Sequence, residues 1–347
     1  MAISFSYADS IIKQAVEQEA FPSACLLVGV GKRVLFRRAY GRLFPSGDMA
    51  TEQTRYDLAS LTKPLVIGML TLRAMESGKL CLWDKLGFFI DAPPDKRDIT
   101  IRQILTHTAG FPTGLHLWEL SDYPAKCTEL LLGIPLLAPP GRHVQYCCAG
   151  FILLGQLLEC LYGLPLAELA IQEVFWPLKM YKTSYLPQGK NIAATELLEG
   201  AYLEGVVHDE NARFLNGVAG NAGVFSNMDD LALFAQMLAM GGELPDGTAY
   251  LSPSTIRLAM QNHTEGLEQA RGLSFYLPWY DDGFTGDLFP RETVGHTGFT
   301  GTSFSIDPTT GVYVILLTNR VCPTRDNIDI YRVRRLVHNA IYACGRK

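Results

Sequence analysis

The chain of 347 residues carries 30 basic and 35 acidic side chains, a formal net charge of −5 at pH 7, and its length allows one large domain or two ordinary ones. With 48% hydrophobic and 19% charged residues, the composition is that of a globular protein and excludes disordered, fibrous and disulfide-stapled chains. The mildly acidic balance gives no reason to expect nucleic acid as a partner.

The first part of the chain predicts a helix, a hairpin and a second helix. Residues 7–18 are amphipathic with helical spacing, and two apolar runs at 24–30 and 34–40 flank a Gly-Lys-Arg turn that is typical of a β-hairpin. Apolar residues recur at helical spacing over 60–77 and stop before Gly78. Strands therefore precede the first long apolar helix.

The rest of the chain predicts a helical middle and a strand-rich end. The clearest helices of the middle cover 151–162 and 228–240, between Pro-rich turns. Strands at 302–306 and 312–319 predict a second hairpin, before a last helix over 325–342. Because strands lie at both ends with helices between them, we expect an α+β fold, in which an antiparallel sheet from both termini is flanked by helices and carries a mostly helical insertion.

Several features predict what the chain lacks. The longest uncharged stretch, 143–158, is shorter than the about 20 apolar residues of a membrane span. The N-terminus lacks the basic start and apolar core of a secretory signal, so we expect a cytoplasmic protein unless a leader has been removed. The eight Cys show no metal-ligand spacing, which predicts reduced, mostly buried thiols and neither a metal nor another cofactor. The basic cluster of the last helix, Arg332, Arg334 and Arg335, is expected to be a solvated face.

Two serines are each followed by a lysine three residues later, Ser10–Lys13 and Ser60–Lys63. On a helix this spacing places both side chains on one face, so the lysine amine can take the proton of the serine hydroxyl. Ser10 lies in the amphipathic terminal helix, where both residues are ordinary surface residues. Ser60 begins an apolar helix, whose N-terminus favours developing negative charge, although a plain N-cap also accounts for it.

Five pieces of sequence follow one another along the chain: DLASLTK at 57–63, LTHTAGFP at 105–112, Tyr146, GNAGVFS at 220–226 and GHTG at 295–298. Together they resemble the serine β-lactamase and penicillin-binding-protein-like family, and within it the class C β-lactamase and esterase branch. The resemblance extends over most of the chain. It implies a β-lactamase-like fold and a serine hydrolase that acts through an acyl-enzyme on small ester, amide or peptide substrates.

The resemblance also implies catalytic roles for three residues. Ser60 is expected to be the nucleophile and Lys63 its proton acceptor. Tyr146 corresponds to the tyrosine that relays the proton to the leaving group or activates water. A phenol with an ordinary pKa near 10 can do this only if nearby cations stabilise the phenolate, and Lys63 and His296 are the candidates. For Tyr146 taken alone, a buried structural role stays open.

A substrate-binding edge is implied by the same comparison. The N–H groups of Ser60 and Phe299 are expected to form the oxyanion hole. Phe299 would lie on the edge of a strand that starts after His296, Thr297 and Gly298. These three residues would bind substrate beside it.

Two residues depart from the family pattern. The usual Tyr-x-Asn motif is Tyr-Cys-Cys here, so Cys148 stands where an Asn contacts both substrate and lysine, and we expect that contact to be lost. His296 stands where β-lactamases commonly carry Lys. Because a His is largely neutral at pH 7, a permanent clamp for a substrate carboxylate is not expected. Both departures weaken the case for β-lactamase activity and leave the nucleophile intact.

The segment Val-His-Asp-Glu-Asn-Ala at 207–212 resembles a sub-branch of the family that includes muramyl-peptide amidases. It would place His208, Asp209, Glu210 and Asn211 in a loop that lines the cleft. A polar turn whose side chains cap their own backbone is equally open. The adjacent spacing does not suit a metal site.

The remaining expectations concern the surroundings of the site. His107 is expected to be a satisfied, buried histidine in a turn beneath the cleft. The thiol pair that begins at Cys147 is either a redox switch or, as we expect, packed thiols. The sheet domain is predicted to comprise 1–57 and 205–347 and the helical domain 58–204, with the active site in the cleft between them.

Alternative functions stay open at this point. Within the family these are weak β-lactamase activity and D-peptidase or muramyl-peptide amidase activity. In another class, the chain is a non-catalytic binding protein that has kept the fold. The natural substrate and the oligomeric state are not determined by the sequence.

Overall fold

A five-stranded antiparallel sheet joins the two ends of the chain. The computed structural model describes residues 4–278 and 284–344. Within these residues the strands are β1 (Ser23–Val30), β2 (Arg33–Gly41), β3 (Tyr56–Asp57), β4 (Ser184–Tyr185), β5 (Leu197–Leu198), β6 (Ala201–Tyr202), β7 (Val224–Ser226), β8 (Val294–Thr297), β9 (Ser303–Ile306) and β10 (Val312–Thr318). The main sheet has the order β2-β1-β10-β9-β8, and β3-β7-β4 form a smaller sheet. Both predicted hairpins and the sheet built from the two ends are therefore confirmed.

Helices cover the sheet and form most of the middle of the chain. Within the described residues they are α1 (Ser6–Glu17), α2 (Met69–Glu76), α3 (Ile101–Leu105), α4 (Leu117–Leu120), α5 (Cys127–Gly133), α6 (Ala149–Tyr162), α7 (Leu166–Ala170), α8 (Glu210–Phe214), α9 (Met228–Ala239), α10 (Pro253–Met260) and α11 (Ile330–Cys344). Short 3-10 or π-helical turns cover Ala59–Leu61, Lys63–Gly68, Leu86–Phe88, Pro124–Lys126 and Ile171–Phe175. The α+β class is the observed one.

Strand β1, which lies between β2 and β10, has helices against both faces, because its alternate side chains enter two different cores. Cys25 and Leu27 belong to the large core that includes α9 and the helical middle. Leu26 and Val28 belong to a second core formed with α1 and α11. Side chains alternate across a strand, so an unbroken apolar run here fills both layers.

Three predicted elements differ in their boundaries. The helix predicted over 60–77 is a 3-10 turn, a π-helical turn and α2 in succession, with Pro64 in the π-helical turn. The last helix begins at Ile330 rather than at 325, because the preceding loop is held by Arg320, which donates to the carbonyls of Arg325 and Asn327. The third difference concerns β8, which contains His296 and Thr297, so the strand expected to start after them is misplaced.

The absences expected from the sequence can be compared with the described residues only. No single helix among them is both long and apolar enough to cross a membrane, and α6 with Leu166–Phe175 meets that test only as a bent pair. No group of three metal-ligating side chains is found in the same part of the chain. All eight cysteines are free; four are buried, but Cys81 and Cys160 are exposed, so the expectation of mostly buried thiols is only half right.

Candidate active site

Ser60 and Lys63 face each other at the start of the buried helical segment. Lys63 Nζ donates a hydrogen bond to Ser60 Oγ at 3.2 Å. Ala59, immediately before the serine, has a φ of +46°, a value that residues other than Gly, Asn and Asp rarely adopt. The backbone therefore makes a sharp turn at Ala59, which places Ser60 in the first turn of the helical segment.

Lys63 is completely buried and contacts only neutral groups. Besides Ser60, its Nζ donates to the Asn221 carbonyl at 3.1 Å and to Cys148 Sγ at 3.5 Å. No carboxylate pairs with it in the part of the chain that is described. The expected loss of contact between residue 148 and the lysine is wrong, since the thiol sulfur accepts a weak hydrogen bond. Asn221 belongs to the motif at 220–226, and nothing in that motif predicts its contact with Lys63.

Tyr146 packs its ring against the amine of Lys63. The Nζ atom lies 4.9 Å from the ring centroid. Burial, followed by the neighbouring Cys148 thiol, raises the pKa of Tyr146 well above its ordinary value. The resting group is a neutral phenol, so the expectation that nearby cations hold it as phenolate is wrong for this state.

His296 does not supply a cation to the site. Burial, followed by the charge of Lys63, holds the pKa of its imidazole well below the ordinary value, so the ring is neutral at pH 7. Its Nδ1 lies 2.8 Å from the carbonyl of Thr297, and within the described residues its Nε2 has no hydrogen-bond partner. The ring packs on Tyr276, with 4.1 Å between centroids, and the Arg271 guanidinium lies 4.0 Å from the centroid of the same tyrosine.

His107 fixes the segment that carries Tyr146. Its carbonyl accepts from the Gln145 N–H at 2.8 Å and its Nδ1 accepts from the Cys147 N–H at 3.2 Å, while its ring lies 4.5 Å from that of Tyr146. Burial holds the pKa of His107 well below its ordinary value. The residue is buried as expected, but only one ring nitrogen is satisfied within the described chain, so the expectation of a satisfied histidine is partly wrong.

Phe299 lies in the turn between β8 and β9, not on a strand edge as expected. Within residues 4–278 and 284–344 its N–H has no hydrogen-bond acceptor. The turn is attached to the nucleophile segment, because Thr300 Oγ1 donates to the Asp57 carbonyl at 2.7 Å and Thr302 Oγ1 to the Leu58 carbonyl at 3.1 Å. A Cβ at Gly298 would collide with that Leu58 oxygen, which explains the glycine.

A cavity of about 150 Å³ opens beside the nucleophile. Its walls are Ser60, Tyr146, Tyr276, Thr297, Gly298, Phe299, Arg320, Ile330, Tyr331 and Arg334. Lys63, Cys148 and His296 are not among them: Lys63 contacts Ser60, Cys148 lies against Lys63, and His296 packs against Tyr276. The structure therefore brings most of the predicted site residues around one space.

Arg334 was expected on a solvated face and is instead buried in the wall of this cavity. Its Nη2 donates to the Gly301 carbonyl at 3.0 Å, and burial lowers the pKa of its guanidinium to about 10, so it stays charged at neutral pH. Neither Arg334 nor the neighbouring Arg320 has an ion pair with a carboxylate in the described chain. The expectation from the basic cluster is wrong for Arg334, because it lies on the face of α11 that packs on the sheet, whereas Arg332 is exposed.

The loop 208–211 lies behind the cavity wall rather than in it. His208 is buried and stacks on Phe299, with 5.6 Å between ring centroids. Asp209 Oδ1 accepts from the Ala212 N–H and caps α8, as the polar-turn alternative predicts. Glu210 pairs with Arg325 at 2.6 Å, and Asn211 accepts from the N–H of Leu117.

Comparison with known proteins gives matches over nearly the whole chain. The family model described as Beta-lactamase matches residues 8–339. An Escherichia coli (strain K12) protein with the provisional name D-alanyl-D-alanine carboxypeptidase is 30% identical over 366 aligned positions, which cover 90% of this chain and 81% of its own. The N-acetylmuramyl-L-alanine amidase of Bacillus subtilis (strain 168) is 29% identical over 89% of this chain and 80% of its own. The solved structure of EstCE1, a hydrolase with promiscuous acyltransferase activity, has a TM-score of 0.79 at 23% identity and covers 97% of this chain and 98% of its own, which shows a shared fold.

Proposed function

The chain belongs to the β-lactamase family, and we propose that it is a serine hydrolase that cleaves esters or amides through an acyl-enzyme on Ser60. The observation that carries the proposal is the contact of Lys63 Nζ with Ser60 Oγ beside the ring of Tyr146. A nucleophile, a proton acceptor and a neutral phenol are thereby within reach of one cavity. Its substrate is a small molecule, and neither nucleic acid nor a metal takes part.

Acylation begins with attack of Ser60 Oγ on the substrate carbonyl carbon. Lys63 accepts the hydroxyl proton, and the N–H groups of Ser60 and Phe299 receive the oxyanion. As the bond to the leaving group breaks, Tyr146 donates its phenolic proton to the departing oxygen or nitrogen and recovers one from Lys63. Water then attacks the acyl-enzyme along the reverse proton path, which releases the acid and restores the serine hydroxyl.

The test is reaction with a fluorophosphonate probe, read by intact mass. The wild-type protein is expected to gain one adduct and Ser60→Ala none. Ser10→Ala, which changes the serine of the other Ser-x-x-Lys pair, is the matched control and should label as the wild type does. Absence of an adduct on the wild type, or an equal adduct on Ser60→Ala, would overturn the proposal and leave the non-catalytic binding protein as the better description.

A second candidate activity is cleavage of a D-peptide or muramyl peptide. Two guanidinium groups without a carboxylate partner in the described chain, those of Arg320 and Arg334, line the cavity around Ser60. A peptide carries a carboxylate that such a site can pair with. Turnover of D-amino-acid amides or muramyl peptides faster than neutral p-nitrophenyl esters would favour this activity.

Two further proposals concern location and domain boundaries. The eight free thiols support a reducing compartment, so we propose that the protein is cytoplasmic. Residues 1–57 with 205–347 are proposed as the sheet domain and 58–204 as the helical domain. Ser60 and Tyr146 from one and Phe299 from the other meet at the same cavity, so the site requires both.

A further inference from the structure

One buried carboxylate connects the two main-chain segments of the proposed oxyanion hole. Asp57 is 2% exposed, and each of its oxygens accepts a different main-chain N–H. Oδ1 accepts from Ala59 at 2.8 Å, and Oδ2 accepts from His208 at 2.7 Å. Ala59 precedes the nucleophile, and His208 packs against Phe299, so each hydrogen bond leads to one of the two oxyanion donors.

On the nucleophile side, the hydrogen bond holds a strained residue. Ala59 has a left-handed φ of +46°, a conformation that is energetically costly for an L-residue. A charge-assisted hydrogen bond from its N–H to Asp57 offsets this cost. The Ser60 N–H belongs to the peptide plane that follows Ala59, so the direction of that donor depends on the same turn.

On the other side, a chain of charged groups holds the His208 ring. Its Nε2 lies 3.1 Å from Glu196 Oε2, and Glu196 is bound through both carboxylate oxygens by Arg325. The ring stacks on Phe299 at an interplanar angle of 22°. Arg320 covers Phe299 as well, with its guanidinium 4.4 Å from the ring centroid, and donates to the Phe299 carbonyl at 2.7 Å.

We propose that Asp57 is a positioning residue that aligns the N–H groups of Ser60 and Phe299 on the same oxyanion, with His208 as its link to Phe299. The inference rests on the proposed hydrolase function. It gives the polar loop at 208–211 a role in the chemistry without contact with the substrate. Only a carboxylate can accept both N–H groups, since an amide has one oxygen and would turn its NH₂ group towards the second donor.

The experiment compares Asp57→Asn with Asp230→Asn. Asp230 is a matched control because it is also buried and also accepts a main-chain N–H, from Lys182, but in α9 away from the cavity. Each protein is assayed with an ester and with the corresponding thionoester, whose sulfur is a poorer acceptor of oxyanion hydrogen bonds. Asp57→Asn is expected to lower kcat on the ester about 10- to 100-fold with KM within about twofold, and to lower the ester-to-thionoester ratio of kcat/KM by about tenfold.

If Asp57 had a merely structural role, Asp57→Asn would lower kcat/KM equally for the ester and the thionoester. An unchanged ester-to-thionoester ratio in Asp57→Asn, or an equal fall of that ratio in Asp230→Asn, would overturn the inference. His208→Ala covers the case in which Asp57→Asn does not fold, because it removes the ring on Phe299 and keeps the N–H to Asp57; His116→Ala, at an exposed histidine, is its control. The ratio should fall in His208→Ala only, and an unchanged ratio there contradicts the proposal.

Failure of the proposed function has a different signature. A wild type that takes up no fluorophosphonate and cleaves neither substrate would overturn the hydrolase itself. A wild type that labels at Ser60 and cleaves both substrates, with a ratio insensitive to Asp57 and His208, would overturn only the positioning role.

Discussion

The amine nitrogen of Lys63 lies 3.5 Å from the sulfur of Cys148. Residue 148 therefore keeps the contact with the lysine that the family's Asn provides, but through a weaker acceptor. The lysine stays close to Ser60 Oγ, which competes with the sulfur for its protons.

Cys148→Asn is expected to lower kcat/KM for ester hydrolysis about fivefold. An amide oxygen accepts an N–H more strongly than a thiol sulfur, by about 1 kcal/mol, and draws Lys63 Nζ away from Ser60 Oγ. Cys160→Asn, at an exposed thiol, is the control and should leave kcat/KM unchanged. A large rise in hydrolysis would instead mean that Cys148 marks a decayed site.

Lys63→Met should abolish turnover, with a loss of about 10³-fold or more in kcat/KM, because no other proton acceptor contacts the serine within the described residues. Lys13→Met removes the lysine of the other Ser-x-x-Lys pair, an exposed residue paired with Asp9, and should retain activity. The measurement is kcat/KM of both variants and the wild type on one p-nitrophenyl ester. Similar losses in both variants would contradict the assignment of the base.

Tyr146→Phe should have an effect that depends on the leaving group. p-Nitrophenolate leaves without a proton, whereas an alkoxide or amine does not, so a proton donor matters only for the latter. In kcat/KM, which reports acylation and not the later attack of water, we expect a loss below about fivefold for a p-nitrophenyl ester and about 100-fold or more for an alkyl ester of the same acid. Tyr123→Phe, at an exposed tyrosine, serves as the control. Equal losses for both esters would show that the ring is structural.

Arg334→Gln should lower kcat/KM for substrates that carry a carboxylate. For a pair of p-nitrophenyl esters that differ only in a terminal carboxylate, we expect kcat/KM for the charged ester to fall about 10- to 30-fold, in line with about 1.5–2 kcal/mol for a charge-assisted hydrogen bond. The neutral ester should change little. Arg332→Gln makes the same charge change two residues away on an exposed site of α11. Loss of the preference in both variants would point to net charge alone.

Ester hydrolysis should decline as the pH falls below about 6. Burial raises the pKa of Asp57 to about 6, with Asp209 adding to the rise and Arg213 and the main-chain N–H groups of His208 and Ala59 opposing it. The protonated form, which accumulates below that pH, gives up one of its two N–H hydrogen bonds. The pH profile of kcat for Asp57→Asn should lack this decline at acid pH. An unchanged decline in that variant would assign it to another titrating group.

The same shift has a consequence for stability. Because the folded pKa lies above the ordinary value of 3.8, the folded protein binds this proton more tightly than the unfolded chain does. The contribution of Asp57 to the free energy of unfolding therefore decreases as the pH rises from about 4 to about 6. The difference in the free energy of unfolding between wild type and Asp57→Asn, measured in urea across that pH range, gives this contribution. A difference that increases with pH would contradict the raised pKa of Asp57.

Local patterns were sufficient for a large part of this protein. Hydrophobic periodicity predicted both hairpins, the terminal sheet and the long helices, because amphipathic spacing reflects which face each element buries. The Ser60–Lys63 spacing predicted their contact for the same reason, since residues three apart share a helix face. The order of the five motifs along the chain was enough to identify the family.

Tertiary structure decided what lies between distant segments. Four features depend on residues far apart in the chain: the neutral state of His296, the burial of Arg334, the hydrogen bond that holds the Tyr146 segment to His107, and the hydrogen bond of Asp57 with the His208 N–H. Burial and hydrogen-bond partners set the protonation of such groups, and neither can be derived from local sequence. The sequence by itself determined which chemical groups are present and the fold that brings them together. The packing of the terminal sheet against the helical middle determined which of these groups are charged, buried or in contact with one another.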